Sequence, residues 1–515
     1  MNDIKKLINY ISKQKLKQVQ IITDKPSFKG KSKVLYDSIL NGDINTDDQA
    51  IKKLYGDDEK EKGKGNYRKL KYRLRQRLLN TLFVIDINDY DREQYIKGEV
   101  NLIKTWAATE ILAKRRLATL SRQIQSQILK TAIKFDNLKI ALSIASDQRR
   151  RYSSTEYNQK TYEKYNILTN SLLSQYVFQL KTSEYYTKLV TIVGHKAKYT
   201  DEELTAIRKN LFDLRKELSV YKNFTSSFYL FNAIFYLGMI DNDFELKKSI
   251  CEQALEYLKE FPQAPKVMYF SFNQKRALLY LEEGKHELAL SIFKELLKLK
   301  IKPGGLSWQF VRNYISLVHF TEYNYKEAYK VVANIINNKK AFDRLNSIFK
   351  EHWYIKEAYL SFLIAAGKLD TTELEVTLKR PFRIKRFVNE VPQPSKDKVG
   401  YNLSIILIQF YFILLHGDII KISEKLDSLK QYSFRYLKGK DHIRARTYIK
   451  LLQKLRNPLL GVKEINRKSR SLLKTLNDNP HDYSVDVMER ESIPYNQQWS
   501  ELISLIDTKK LTVII

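Results

Sequence analysis

The feature that most constrains the fold of this chain is a turn followed by a helix, at Gly284-Lys285-His286-Glu287-Leu288-Ala289. Phe293 continues the apolar face of that helix, and Pro303 closes the segment because proline cannot continue a helix. Similar turns follow other helical patterns at intervals of roughly 40–50 residues, the period expected of stacked helix pairs. The pattern predicts a succession of helix–turn–helix units.

The composition also favours helices over strands. Only 16 glycines and 10 prolines occur in 515 residues, too few for an all-β fold built on many tight turns. The hydrophobic fraction of 43% is ordinary for a globular protein. Cys251 is the single cysteine, which rules out a disulfide framework or a cysteine-based zinc site within one chain. We therefore predict an all-α protein.

Neither a secretion signal nor a membrane span is expected. The first residues lack the apolar core of a signal peptide. The most hydrophobic run, Leu403–Leu415, is interrupted by Gln409 and is too short to cross a bilayer. The sequence predicts a cytoplasmic protein.

Three regions are distinguished by their patterns. Residues 1–89 predict a small basic helical domain, residues 90–455 a helical array, and residues 456–515 a partly helical tail. Within the tail, Glu464–Leu476 has a helical pattern, the stretch Asn477–Tyr495 is loop-like, and Leu511–Ile515 is the only β-like run.

The helix–turn–helix units resemble tetratricopeptide (TPR) repeats, in which two short helices pack through small residues across a tight turn. The spacing of Phe244 and Lys247 departs from the pattern, because a small residue is expected where Lys247 stands. Tyr323 likewise replaces the turn glycine. The positions that match the repeat are Ala141, Ala277, Tyr280, Gly284, Ala289, Phe293 and Ala328.

The resemblance implies an α-solenoid of TPR-like helix pairs with a non-enzymatic role as a scaffold or adaptor. One helix pair cannot bury both of its apolar faces, so neighbouring pairs stack and form an extended surface. Such a surface suits a protein or peptide partner. A non-repetitive helical bundle with coincidental turns is the alternative architecture.

A basic helix predicted at Asn66–Ile85 is the sharpest local feature. Leu70, Leu74 and Leu78 recur every fourth residue and predict a face that packs on a core. Cations on the remaining faces suit phosphate contacts, in keeping with a net charge of +32, and Tyr72 adds a stacking surface. The candidate polyanion-binding residues are Arg68, Lys69, Lys71, Arg73, Arg75 and Arg77, with a second cluster at Arg149, Arg150 and Arg151.

These cations suggest a second function, that of a nucleic-acid-binding regulator in which the repeat array is a sensor or oligomerisation arm. The basic helix would be the third of a helix-turn-helix-like trio. Against this, the glycine-punctuated stretch Gly56–Gly65 predicts a loop longer than the usual turn before a recognition helix. The alternative is that the cations pair with acidic groups on a neighbouring helix or stay solvated.

No catalytic or metal-binding signature is present in the sequence. The seven histidines are dispersed, without an HExxH pair or any metal-ligand spacing. Gly63-Lys64-Gly65 lacks both the preceding strand and the Gly-Lys-Ser/Thr ending of a phosphate-binding loop. The sequence therefore predicts no enzymatic activity, no cofactor and no metal.

Overall fold

A computed structural model describes residues 1–13, 30–56, 60–84, 94–195, 197–299, 303–372, 374–384, 386–387, 401–439, 442–456, 461–481, 483 and 491–508. Every regular element in these ranges is a helix, which confirms the all-α prediction. None of these helices has both the length and the apolar character needed to cross a bilayer. The β-like run Leu511–Ile515 lies outside the described residues.

The chain divides into two compact units. The first consists of Met1–Ala233 with Leu258–Lys266, and the second of Ile234–Tyr257 with Val267–Ile515. The domain boundaries that the sequence predicts at residues 89 and 455 stay a prediction. Helices on both sides of residue 89 belong to the first unit, and helices on both sides of residue 455 share one core in the second.

Nine helices among the described residues lie wholly in the first unit. They are α1 (Asn2–Lys13), α2 (Lys31–Leu40), α3 (Asp47–Tyr55), α4 (Lys60–Val84), α5 (Gln94–Lys114), α6 (Ala118–Lys134), α7 (Leu138–Ser153), α8 (Gln159–His195) and α9 (Asp201–Glu217). Two further helices, α10 (Phe224–Ile240) and α11 (Phe244–Lys259), each contribute two or more residues to both units.

Two hydrophobic clusters lie among the described residues of the first unit. Helices α1–α4 bury one cluster around Ile4, Leu35 and Leu74, all fully inaccessible to solvent. Helices α5–α8 bury the other, which includes Ile144 and Leu172. From α5 to α9 each helix packs on the next along the chain, as antiparallel neighbours joined by short turns do.

The helices of the second unit complete the fold. They are α12 (Lys266–Glu282), α13 (His286–Lys298), α14 (Leu306–Thr321), α15 (Tyr325–Asn337), α16 (Lys339–Phe342), α17 (Ser347–Ala365), α18 (Tyr401–His416), α19 (Ile419–Tyr436), α20 (Ile443–Leu452), α21 (Val462–Asp478) and α22 (Tyr495–Asp507), with a 3₁₀ turn at Gln453–Arg456.

No helix is predicted from the sequence at α22, and the stretch before it is predicted to be a loop. Its core residues Trp499, Leu502 and Leu505 are at most 3% exposed and belong to the main hydrophobic core of the second unit. The ring of Tyr495 stacks on that of Tyr448, with centroids 4.5 Å apart. The spacing of these apolar residues, every third or fourth position, is the signal that identifies the helix.

The turns between paired helices share one backbone geometry. Gly284 lies in the left-handed region with φ 71°, and Asp136 and Tyr323 adopt the same conformation with φ of 58° and 55°. After Gly284, the Lys285 amide donates to the Tyr280 carbonyl at 2.8 Å, which caps the end of α12. This shared helix ending explains why the turn signal recurs even where glycine is replaced.

Candidate functional site

Helix α4 is anchored to the first hydrophobic cluster by one face. Tyr67, Leu74 and Leu78 are at most 3% exposed, and Leu70 is partly buried beside them. These positions recur at helical spacing, so the opposite face of α4 is directed away from the core. The predicted core-facing stripe therefore places the cations of α4 on its flanks and outer face.

Two of the predicted polyanion-binding residues have acidic partners from other helices. The Lys71 Nζ donates to both carboxylate oxygens of Asp47, at 2.9 and 3.0 Å. The Nε of Arg75 lies 3.6 Å from the carboxylate of Asp3, which belongs to α1. Lys71 and Arg75 therefore pair with acidic groups on neighbouring helices, which is one of the two alternatives to polyanion binding.

Asp47 is held at the centre of a small polar cluster. Its Oδ1 accepts a hydrogen bond of 2.6 Å from the hydroxyl of Tyr67 and the bond from Lys71. Burial alone would raise the pKa of Asp47, but these two hydrogen bonds outweigh burial and hold the pKa below 3.8. Lys71 is therefore part of the attachment of α4 to α3.

Three exposed cations and one exposed aromatic ring of α4 form a surface that we call the α4 basic face, defined by Arg68, Lys69, Tyr72 and Arg73. The side chain of Tyr72 is 62% exposed. Arg68, Lys69 and Arg73 are exposed and have no acidic partner within the described part of the chain. Arg77 is half-buried on the flank of the same helix.

The segment predicted as a long loop before the basic helix is shorter in the structure. Helix α4 begins at Lys60, so residues 56–59 alone separate it from α3; residues 57–59 lie outside the described ranges. Gly63 is buried in the first turns of α4, where an added Cβ would lie 3.3 Å from the Tyr55 Cβ. Packing against α3 outweighs the low helix propensity of glycine.

The three arginines of the second predicted cluster, Arg149–Arg151, have different surroundings. Arg149 donates to the Asn166 Oδ1 of α8 at 3.2 Å. Arg150 and Arg151 instead border a pocket that also contains Arg122 of α6. Arg122 is not adjacent to them in sequence, so the sequence alone gives no signal for its contribution.

Five of the seven predicted repeat-packing residues are buried. Ala141, Ala277, Ala289 and Ala328 are all fully inaccessible to solvent, as small residues at close helix crossings are. The ring of Phe293 stacks on that of Tyr314 of the following helix, with centroids 5.4 Å apart. Tyr280 is half-buried against the same cluster, and Gly284 forms the turn.

A separate network of polar side chains lies deep in the second unit. Lys356 is fully inaccessible, and its Nζ donates to the Asn313 Oδ1 at 2.6 Å and the Ser316 Oγ at 2.5 Å. The ring of His352 contacts the same Asn313 oxygen and, on its other side, the Ser492 hydroxyl at 3.2 Å. These hydrogen bonds satisfy groups that would otherwise be costly to bury.

Two further buried groups have chemically unusual surroundings. Arg444 forms a bidentate pair with the buried Glu491, at 2.8 Å to each oxygen. Cys251 is fully inaccessible, and burial raises the pKa of its thiol to about 12. The described residues contain no cluster of three or more His, Cys, Asp or Glu side chains that could hold a metal ion.

Comparison with known proteins gives no relative for this chain. No protein-family model matches the sequence, and neither curated proteins nor solved structures yield a match.

Proposed function

We propose that this protein binds nucleic acid through the α4 basic face. The observation that carries the proposal is the set of Arg68, Lys69 and Arg73, exposed together on a helix that is fixed to a core by its opposite face. Guanidinium and ammonium groups presented in this way bind phosphates. The exposed ring of Tyr72 between them offers a platform on which a base can stack.

The connection before α4 also supports the proposal. A helix-turn-helix places its recognition helix after a turn of about 3–4 residues. Residues 56–59 separate α3 from α4, and Thr46 starts α3 with a capping box that includes Gln49. The long-loop objection from the sequence therefore does not apply to this pair of helices.

The proposal predicts that reversing three charges on the α4 basic face weakens binding to duplex DNA or RNA. The variant carries Arg68→Glu, Lys69→Glu and Arg73→Glu, which leave the Asp47 contacts of α4 in place. If each cation neutralises one phosphate, the slope of log Kobs against log salt concentration falls by about three. Gel shifts or fluorescence anisotropy over a range of salt concentrations measure it.

A matched control separates a site from the general attraction of a protein with a charge of +32. Lys130→Glu, Lys139→Glu and Lys164→Glu make the same change in net charge at exposed positions of α6, α7 and α8. The control is expected to keep the salt slope of the wild type. Equal losses in the two triple variants would contradict a specific role for α4.

A non-enzymatic scaffold for a protein or peptide is the second candidate function. It is favoured by a row of exposed apolar residues on α8, where Leu173, Val177 and Leu180 are 48%, 42% and 53% exposed at helical spacing. Such rows on a helix are typical of surfaces that bind other proteins. Absence of nucleic-acid binding even at low salt would favour this scaffold function over the first.

A further inference from the structure

An open pocket lies in the first unit, between α6 and α7 and beside the end of α5. Its volume is about 210 Å³, enough for a small molecule. Arg122 and Gln125 of α6 face Asp147, Arg150 and Arg151 of α7 across it. The pocket is distinct from the α4 basic face, because no residue of α4 lines it.

The walls of the pocket carry more positive than negative charge. Arg150 pairs with Asp147 at 3.2 Å, and Arg151 pairs with Glu156 just after α7. Arg122 has no ion pair within the described ranges, although its charge helps to lower the pKa of Glu156 after the larger effect of the Arg151 hydrogen bond. Three guanidinium groups therefore face two carboxylates.

Polar groups in the wall also lack hydrogen-bond partners. The Gln125 side chain is 2% exposed, and its Oε1 accepts no hydrogen bond from any described residue. The Nε of Arg122 is buried and has no acceptor within the described residues. A buried polar group without a partner costs about 1–3 kcal/mol, so such groups are normally satisfied by a ligand or by ordered water.

We propose that this pocket binds a small phosphate ester that carries hydroxyl groups. The phosphate would accept hydrogen bonds from Arg122 and from Arg151, whose Nε is likewise buried without a partner among the described residues. Three phosphate oxygens suit several planar guanidinium donors at once. A hydroxyl of the ligand would donate to the Gln125 Oε1, which separates such an ester from inorganic phosphate.

The test uses the full chain and two probes, glycerol 3-phosphate and inorganic phosphate, in calorimetric titrations. Glycerol 3-phosphate is expected to bind saturably at one site. Arg122→Met is expected to weaken both probes at least about tenfold, because it removes a charge-assisted contact. Gln125→Leu is expected to weaken glycerol 3-phosphate several-fold and to leave inorganic phosphate unchanged.

Lys139→Met, which removes an exposed charge elsewhere on α7, is the control and is expected to bind like the wild type. Thermal unfolding checks each fold; Gln125→Leu should be at least as stable as the wild type, because an apolar side chain replaces an unpaired amide. Equal titrations for the wild type and Arg122→Met, or unsaturable uptake of both probes, would overturn the proposal. The triple charge-reversal variant of the α4 basic face is expected to bind both phosphate probes like the wild type, because no residue of α4 lines the pocket.

Discussion

Lys356 shows how a single buried residue makes the stability of the second unit depend on pH. Its Nζ has hydrogen-bond acceptors in Asn313 and Ser316, and both of these partners are uncharged. Burial lowers the pKa of Lys356 well below 10.5. Burial and the nearby Lys356 likewise lower the pKa of His352 below 6.5.

We predict that Lys356→Met flattens the dependence of stability on pH. The pKa of Lys356 is lower in the folded chain than in the unfolded chain, so the unfolded chain binds more protons between these two values. The free energy of unfolding therefore rises with pH in that window, by at most about 1.4 kcal/mol per pH unit. Denaturant unfolding at several pH values between 7 and 10 measures the slope.

The control for this prediction is Lys340→Met, an exposed position of α16. It is expected to retain the wild-type slope. A Lys356→Met variant with that same slope would show that Lys356 stays charged in the folded protein.

At the residue scale, the sequence predicts which faces of α4 are polar, but not which cations remain exposed. Lys71 binds a carboxylate 24 positions away, and nothing in the local pattern marks Asp47 as its partner. Similarly, Arg122 joins Arg150 and Arg151 only through the packing of α6 on α7. Pairing across helices depends on tertiary contacts that periodicity does not report.

The turn after α12 contains Gly284, whose left-handed backbone conformation ends that helix. Gly284 has a φ of 71°, a conformation that costs residues with a Cβ about 1–2 kcal/mol. No atom lies within 4 Å of an added Cβ there, so the backbone conformation alone opposes a substitution.

We predict that Gly284→Ala lowers the free energy of unfolding by about 1 kcal/mol, after the smaller entropy of the unfolded alanine variant is taken into account. Gly65→Ala, within α4 and also free of neighbours, is predicted to raise it by about 1 kcal/mol because alanine favours helix. Urea unfolding of both variants is the measurement. A loss of stability in both, or in neither, would contradict the assignment of the two backbone conformations.

Among the elements, strongly periodic helices are predictable and glycine-rich or polar segments are not. The pair of helices around Gly284 lies where the sequence predicts it. The first turns of α4 were predicted as a loop because of Gly63 and Gly65. The backbone of α4 at Gly63 packs so closely on α3 that an added Cβ would lie 3.3 Å from the Tyr55 Cβ.

On the scale of the whole molecule, the C-terminal helices are part of the core of the second unit. Residues of α21 and α22, among them Ile465 and Trp499, belong to the same cluster as Trp353 of α17. The buried Glu491 pairs with Arg444, and the guanidinium of Arg444 also donates to the Leu476 carbonyl of α21 and to the Asn496 Oδ1 of α22. A region predicted as a tail therefore has a structural role that composition does not reveal.

We predict that ending the chain after Arg456 unfolds the second unit. The truncation exposes the apolar partners of Trp499 and removes Glu491, the buried ion-pair partner of Arg444. Limited proteolysis is expected to cleave the second unit rapidly. Ending the chain after Thr508 removes no described contact and is the control; equal resistance of both truncated chains would refute the prediction.

The burial of Cys251 has a practical consequence for labelling. It is the single cysteine of the chain, it is inaccessible, and its thiol stays protonated at neutral pH because burial raises its pKa to about 12. Thiol reagents therefore have no native target in the folded protein. A cysteine introduced at Gln76, an exposed position of α4, would carry a fluorophore alone beside the cations of the α4 basic face, and a change in its emission on adding DNA or RNA would test the proposed binding.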